Sequence, residues 1–395
     1  MMAAMKTQMI QGKGQLNTSS RLTSIDALRG LVILFMLLDH VRETFFLHYQ
    51  VSDPMDIFST SLGLFCNRTL AHICAPVFIF LSGLSSYLYG EKHNGTKDTT
   101  QFLLKRGIFL IILELTLVNF AWTFQFPPTV IYLQVIWAIG LSMIALSLLI
   151  FLPRWVLIGL GFLIICTHNL LDGVHFDAES PMYIPWAILH DRSWFSLGEI
   201  LKMRTSYPVL PWIGVICLGY ATGPWFGKNT NAHARHQKLL RWGCIALGIF
   251  FTLRFMNIYG EKPRIISENA VQTVMSFFNV TKYPPSFLFI CFTLGIGLLL
   301  LLAFEKLPQR KWISTLSVFG AVPMFFYLLH LYVLKFLYLG ALAIWGTNQG
   351  QYFGFDSVAQ VWLCTIILAV ALYPAAQWFG RLKAQRKDLT WLKYF

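Results

Sequence analysis

Long apolar segments recur ten times along this chain of 395 residues, and no other feature constrains its fold as much. Crossing hydrocarbon takes about 20 residues of helix, and every backbone polar group inside it must be paired within the chain. The segments are Leu28–Phe46, Phe65–Tyr89, Phe102–Trp122, Val130–Leu152 and Trp155–Leu171, then Tyr207–Phe226, Trp242–Ile258, Ser286–Phe304, Ser317–Leu339 and Ser357–Phe379. They predict an all-α integral membrane protein, a multi-pass bundle of about 10 transmembrane helices, or about 11 if the ninth segment divides, since apolar character continues to Trp345.

Charged residues make up 12% of the chain, half the soluble-domain average of about 25%. The net charge of +13 sits in short loops between apolar runs, where Lys and Arg mark cytoplasmic segments, so no nucleic-acid partner is expected. Lys6, Lys13 and Arg21, then Lys92, Lys97, Lys105 and Arg106, fall on one side. So do Arg154, Lys228, Arg235, Lys238, Arg241, Lys306, Arg310, Lys311 and the tail from Arg381 to Lys393, which puts both termini in the cytoplasm. The chain then reads as a disordered cytoplasmic tail over 1–20, one transmembrane domain over 21–380 and a basic cytoplasmic tail over 381–395. No signal peptide precedes the first span. The seven cysteines have neither a disulfide framework nor zinc-ligand spacing, and no metal is expected. Two long loops on the other side, Asp172 to Ser206 and Tyr259 to Pro285, suit lids and acceptor sites, or caps over helix ends.

Polar residues inside the apolar segments carry the chemistry. With a helix rise of about 1.5 Å per residue, His40 lies about 16 Å beyond Arg29 on the first span. Glu114 sits about 16 Å along the third span and His330 about 20 Å along the ninth. His72 is about 10 Å below the outer face. Gln134 opens the fourth span, and His168-Asn169 end the fifth just before Asp172. All fall in the outer half, where an unpartnered polar group is costly. This predicts a polar cavity opening outward and lined by spans one, two, three, five and nine. Plainer readings stand beside it. A lone histidine can bond a carbonyl or a tyrosine, and His330 follows Tyr327 at the spacing of one helix face. Glu114 can pair with a neighbouring histidine or arginine. Of the adjacent Asp39 and His40, on different sides of one helix, one can be structural while the other faces the cavity.

At the inner end Asp26 and Arg29 can pair across one turn, and Ser24 or Asp26 can cap the helix. Gly30 leaves bare backbone that invites close approach of another group. Together with Lys105 and Arg106 at the same level, Arg29 suits a cytoplasmic anionic ligand such as a phosphate.

The stretch from Arg21 through Asp26, Arg29 and Gly30 to Asp39-His40 resembles the first span of the transmembrane acyltransferase superfamily. The chain is similar to the bacterial branch related to the catalytic domain of heparan-alpha-glucosaminide N-acetyltransferase. His72-Ile-Cys-Ala-Pro76, Lys105-Arg-Gly-Ile-Phe, Gln134-Val-Ile-Trp-Ala, His168-Asn-Leu-Leu-Asp172, Tyr207-Pro-Val-Leu-Pro-Trp, Thr281-Lys-Tyr-Pro-Pro-Ser286 and Phe319 to His330 carry the likeness further. The resemblance implies transfer of an acyl group, usually acetyl, from cytoplasmic acetyl-CoA or another acyl-CoA. The acceptor is a hydroxyl or amine of a sugar or glycan across the cell inner membrane. His40 would be the base, oriented by a carboxylate such as Glu114, with Asp39 and His330 beside it. His72, Gln134 or Asn169 would hold the oxyanion, and His168 and Asp172 would help seat the acceptor. Arg29, Lys105 and Arg106 would hold the CoA phosphates. The lysosomal enzyme differs in carrying an amide where His40 stands, with its essential histidine in the following luminal loop; here that loop offers His48. The oligomeric state is open. A proton-coupled transporter or flippase using the same histidines and carboxylates is the alternative, although no repeat relates the two halves. Haem ligation by His40 and His72 is a third reading.

Overall fold

The structure, a computed structural model, describes residues 2–395 apart from Asn94, Lys228, Asn229, Pro308, Gln309 and Lys387, and of residues 2–22, Thr390 and Lys393 it describes the backbone without the side chains. Residues 2–20, expected as a tail, belong to the first helix, and the side chains of Lys6, Lys13 and Arg21, together with Lys228, lie outside the described residues.

The bundle is built around α1 (Met2–Phe45). A nearly continuous rod follows, α2 (Leu62–His72) and α3 (Cys74–Lys92), interrupted at Ile73. Next, α4 (Thr96–Leu113) passes through a π-helical turn, Glu114–Val118, into α5 (Asn119–Thr123). Then come β1 (Val130–Leu133), α6 (Val135–Leu149) and α7 (Arg154–Thr167). The chain continues through α8 (Tyr183–Leu189), β2 (Trp194–Leu197), β3 (Leu201–Thr205) and α9 (Leu210–Thr222). Finally come α10 (Ala232–Met256), α11 (Ala270–Phe278), α12 (Phe287–Lys306), α13 (Lys311–Ala321), α14 (Pro323–Trp345) and α15 (Val358–Gln385).

Among the described residues, six helical stretches are long and apolar enough to cross a membrane: Leu62–Lys92, Arg154–Leu171, Ala232–Met256, Phe287–Lys306, Pro323–Trp345 and Val358–Gln385. The protein is therefore a helical membrane protein. Other expected spans are shorter or carry more charge. α6 has 15 residues and α9 has 13, and α1 carries Arg29, Asp39, Arg42 and Glu43.

One feature departs from the sequence reading, and a second is the division of the ninth segment that it allowed. The fold is not all-α. Val130–Leu133, expected to begin the fourth span, is a strand parallel to β3, with Val130 opposite Lys202, and β2 joins β3 antiparallel to give the order β1-β3-β2. Its Val-Ile-Tyr-Leu sequence suits a half-buried pleat. The ninth segment divides at Val322 (φ −132°, ψ 50°), because the residue before a proline is driven out of helical backbone.

Glycines set the tightest helix crossings. A methyl at Gly30 would run into the Leu316 carbonyl, and one at Gly320 into the Asp26 carbonyl, so α1 and α13 meet backbone to backbone. Gly83 and Gly219 do the same for α3 and α9, against the Ile216 and Phe80 carbonyls. Small residues at such contacts are the usual basis of helix association in lipid. The approach that Gly30 invites is thus made by a neighbouring helix.

Three loop regions lace together over the end of the bundle where α1 stops. Asp53 accepts from the backbone N–H groups of Lys282 (3.0 Å) and Tyr283 (2.8 Å). Asn279 donates to the Met55 carbonyl at 2.6 Å, and Asn169 accepts from the Phe287 N–H at 2.8 Å.

Candidate functional site

The inward face of α1 and the first turns of α14 bring two histidines together. His40 Nδ1 is 2.8 Å from His330 Nε2, and His330 Nδ1 donates to the Phe326 carbonyl at 2.6 Å. Both rings are buried. A carbonyl only accepts, so His330 carries its proton on Nδ1 and, when neutral, accepts at Nε2. His40 then donates from Nδ1 and keeps the lone pair on Nε2. No described group hydrogen-bonds that nitrogen. The ring of His40 also meets Trp122 edge-on at 5.2 Å and Tyr327 at 5.8 Å.

Two cavities approach this cluster from opposite ends of α1. The first, about 400 Å³, is lined by Asp26, Arg29, Ser85, Tyr89, Arg106 and Lys383 and reaches Met36, Val135 and Tyr327. Arg29 there donates to Asp26 at 2.9 Å and to the Ser85 hydroxyl. The second, about 360 Å³, is lined by Arg42, Glu43, Arg68, Arg192, Arg204 and Tyr207 and reaches Trp122 and Gln134. His40 itself lines neither cavity, but its ring packs against one wall residue of each, Tyr327 of the first and Trp122 of the second. The indole N–H of Trp122 and the hydroxyl of Tyr327 are buried; they approach each other without ordinary hydrogen-bond geometry and have no other partner among the described residues.

Asp39 points away from this pair. One oxygen accepts from Arg42 Nε at 2.9 Å and the other from Arg68 at 2.7 Å, while Glu43 takes a further bond from Arg42 at 3.1 Å. Its carboxylate therefore fixes the two arginines that open onto the second cavity. Asp53, at the mouth of that cavity, has its carboxyl raised above the ordinary 3.8 by burial, against the opposing pull of Arg68 and Lys282. Arg204, on β3, lies 5.2 Å over the Trp194 ring, and burial and Arg192 lower its proton affinity.

The structure separates several residues that the sequence placed in one slab. Glu114 does not orient His40. It accepts from the Trp137 N–H at 3.0 Å and so caps α6, which its own N-cap residue Gln134 leaves uncapped. His330 takes the orienting place, and it is satisfied by His40 and Phe326 rather than by Tyr327. His72 packs on Phe289 at 5.3 Å and lines neither cavity. His168, Asn169 and Asp172 lie at the end of α7 beside a third cavity, not with His40. Lys105 is exposed, whereas Arg106 lines the first cavity. His48 packs between Phe46 and Tyr49, away from both cavities. Each helix's rotation decided these outcomes, and hydropathy does not report rotation. Lys383, Trp122 and Tyr327 were missed. So was Arg68, although an arginine inside an apolar segment was a legible signal.

A helical membrane protein whose buried histidine pair packs against wall residues of two cavities is the class that fold and site define. Residues 21–259 match the family heparan-alpha-glucosaminide N-acetyltransferase, catalytic, and the chain belongs to that family. The sequence resemblance is thereby confirmed, and membership gives the protein an acetyltransferase kind of function in a membrane. No curated protein matches the chain.

Proposed function

We propose that the protein moves an acetyl or other acyl group from an acyl-CoA in the first cavity to a hydroxyl or amine of a sugar or glycan in the second. The single observation that carries this reading is His40, whose ring touches Tyr327 on one side and Trp122 on the other. The donor's phosphates pair with Arg29, Arg106 and Lys383 through charge-assisted bonds. That end faces the cytoplasm, in keeping with the count of basic loops. The thioester then lies along the channel toward Tyr327.

The acceptor O–H or N–H attacks the thioester carbonyl carbon. A new C–O or C–N bond forms, the C–S bond breaks, and CoA leaves as the thiolate. His40 Nε2 takes the acceptor proton and returns it to the leaving sulfur, a general-base role open to a neutral imidazole. His330 holds His40 in the required tautomer, as a base-orienting partner does. The indole N–H of Trp122, the Tyr327 hydroxyl and the Gln134 amide are the donors available to the developing oxyanion.

Purified protein in detergent, incubated with radiolabelled acetyl-CoA and sugar acceptors, tests the proposal. Wild-type protein is expected to bind the donor and label an acceptor, and His40→Ala to bind without labelling. Absence of donor binding in every lipid tried, or proton-driven uptake by liposomes without any acyl donor, would overturn it.

A further inference from the structure

We infer that His168, Asp172 and His190 form a binding site for a first-row divalent cation of the zinc type. His168 opens the 3₁₀ turn that ends α7, Asp172 follows that turn, and His190 terminates α8. One ligand atom from each lies within 4.8 Å of the other two. Tetrahedral zinc with bonds of about 2.0–2.2 Å sets its ligands about 3.4 Å apart, so modest side-chain rotation closes the set.

A second observation points to a ligand. His168 is 1% exposed, and neither of its ring nitrogens has a hydrogen-bond partner among the described residues. Burying an imidazole with both nitrogens unmet is costly, and a cation repays that cost directly. His190 is equally buried. Its Nε2 lies 3.0 Å from the His168 carbonyl and 3.5 Å from Asp172 Oδ1, while its Nδ1 has no hydrogen-bond partner among the described residues and sits 3.8 Å from Asp191 Oδ1. With its proton on Nδ1, toward Asp191, His190 presents the Nε2 lone pair on the side of Asp172, so ligation replaces the contact of Nε2 with the His168 carbonyl.

Two imidazoles and one carboxylate favour zinc-type ions over calcium or magnesium, which take oxygen ligands. Asp172 is half exposed and lines a cavity of about 590 Å³ together with His175, Asp191, Arg192 and Glu261. Three protein ligands therefore leave a fourth position facing that cavity. A bound ion would tie α7 to α8 and its sheet, holding the cover of the second cavity in place. None of these three residues belongs to the acyl-transfer site, so the inference is independent of that reaction.

Full-length protein in detergent, stripped with chelator, reloaded with Zn²⁺ and desalted, tests this by elemental analysis. Co²⁺ loading gives a visible absorption band as a second readout. Wild-type protein is expected to retain about one equivalent of zinc, and His190→Ala and His168→Ala about a tenth of that or less. Asp172→Asn, at an exposed side chain, keeps the packing and should weaken binding about tenfold, which covers the case in which a histidine variant fails to fold. Wild-type protein that retains no zinc and shows no Co²⁺ band, or Asp172→Asn and His190→Ala proteins that bind as tightly as wild type, would overturn the assignment.

Discussion

His40 Nδ1 and His330 Nε2 lie 2.8 Å apart, although 290 positions separate them in the chain. The Phe326 carbonyl fixes the proton on His330 Nδ1, and the pair together fixes the lone pair on His40 Nε2. His40→Ala is expected to lower acyl transfer by about 10²–10⁴-fold, the range of a general base. His330→Ala should lower kcat with little change in KM for the acyl-CoA, and should displace the pH–rate profile. A purely structural role would lower the folded fraction and leave the profile where it was.

The donor cavity makes a second, position-specific prediction. Arg29→Ala, Arg106→Ala and Lys383→Ala should each raise the Kd for acyl-CoA about tenfold or more, as expected for a lost charge-assisted bond. Lys105→Ala, one residue from Arg106 but exposed, should leave it nearly unchanged. Equilibrium binding of labelled acyl-CoA reads both, and equal effects at 105 and 106 would refute this placement.

Glycine positions separate helix crossing from mere helix propensity. Gly30→Ala or Gly320→Ala forces a methyl against a carbonyl and should destabilise by about 1–3 kcal/mol, as overpacking does. Gly159→Ala, on α7 with no atom within 4 Å of the added methyl, should be neutral or mildly stabilising. Thermal unfolding of the purified variants distinguishes the two.

Asp39 is expected to matter through its two arginines. Removing one member of a buried ion pair typically costs about 3–5 kcal/mol, so Asp39→Ala should lower the thermal midpoint sharply. Donor binding per folded molecule should stay close to wild type. Glu43→Gln, half-exposed at 36% of its side chain, should cost far less. A stable Asp39→Ala protein that binds donor but transfers nothing would return Asp39 to the catalytic group.

Asp53 gives a pH dependence with a definite sign. Its carboxyl is raised above 3.8 in the folded protein, chiefly by burial. The folded state thus holds a proton that the unfolded chain has released. That contribution is full below the unfolded value and is lost as pH rises through the folded one. The thermal midpoint of wild type minus that of Asp53→Asn should therefore fall as pH is raised from about 4 toward neutrality. A difference that grows or stays flat contradicts the sign.

The sequence by itself determined that this is a helical membrane protein, because apolar segments of spanning length leave the backbone no other way to pair its polar groups. It predicted that His40 and His330 share a level, since helix rise converts residue number into height, and it determined the Asp26–Arg29 pair, which spans a single turn and closes at 2.9 Å. Only the tertiary structure decided which way each side chain faces. Glu114 and His40 were expected at one depth, yet Glu114 turns to cap α6, while His330 arrives from the far end of the chain to bond His40. His168 and Asp172, read as acceptor contacts, met His190 from a loop that hydropathy could not place. Depth is a local property of a helix, whereas rotation and partnership are set by the packing of all its neighbours.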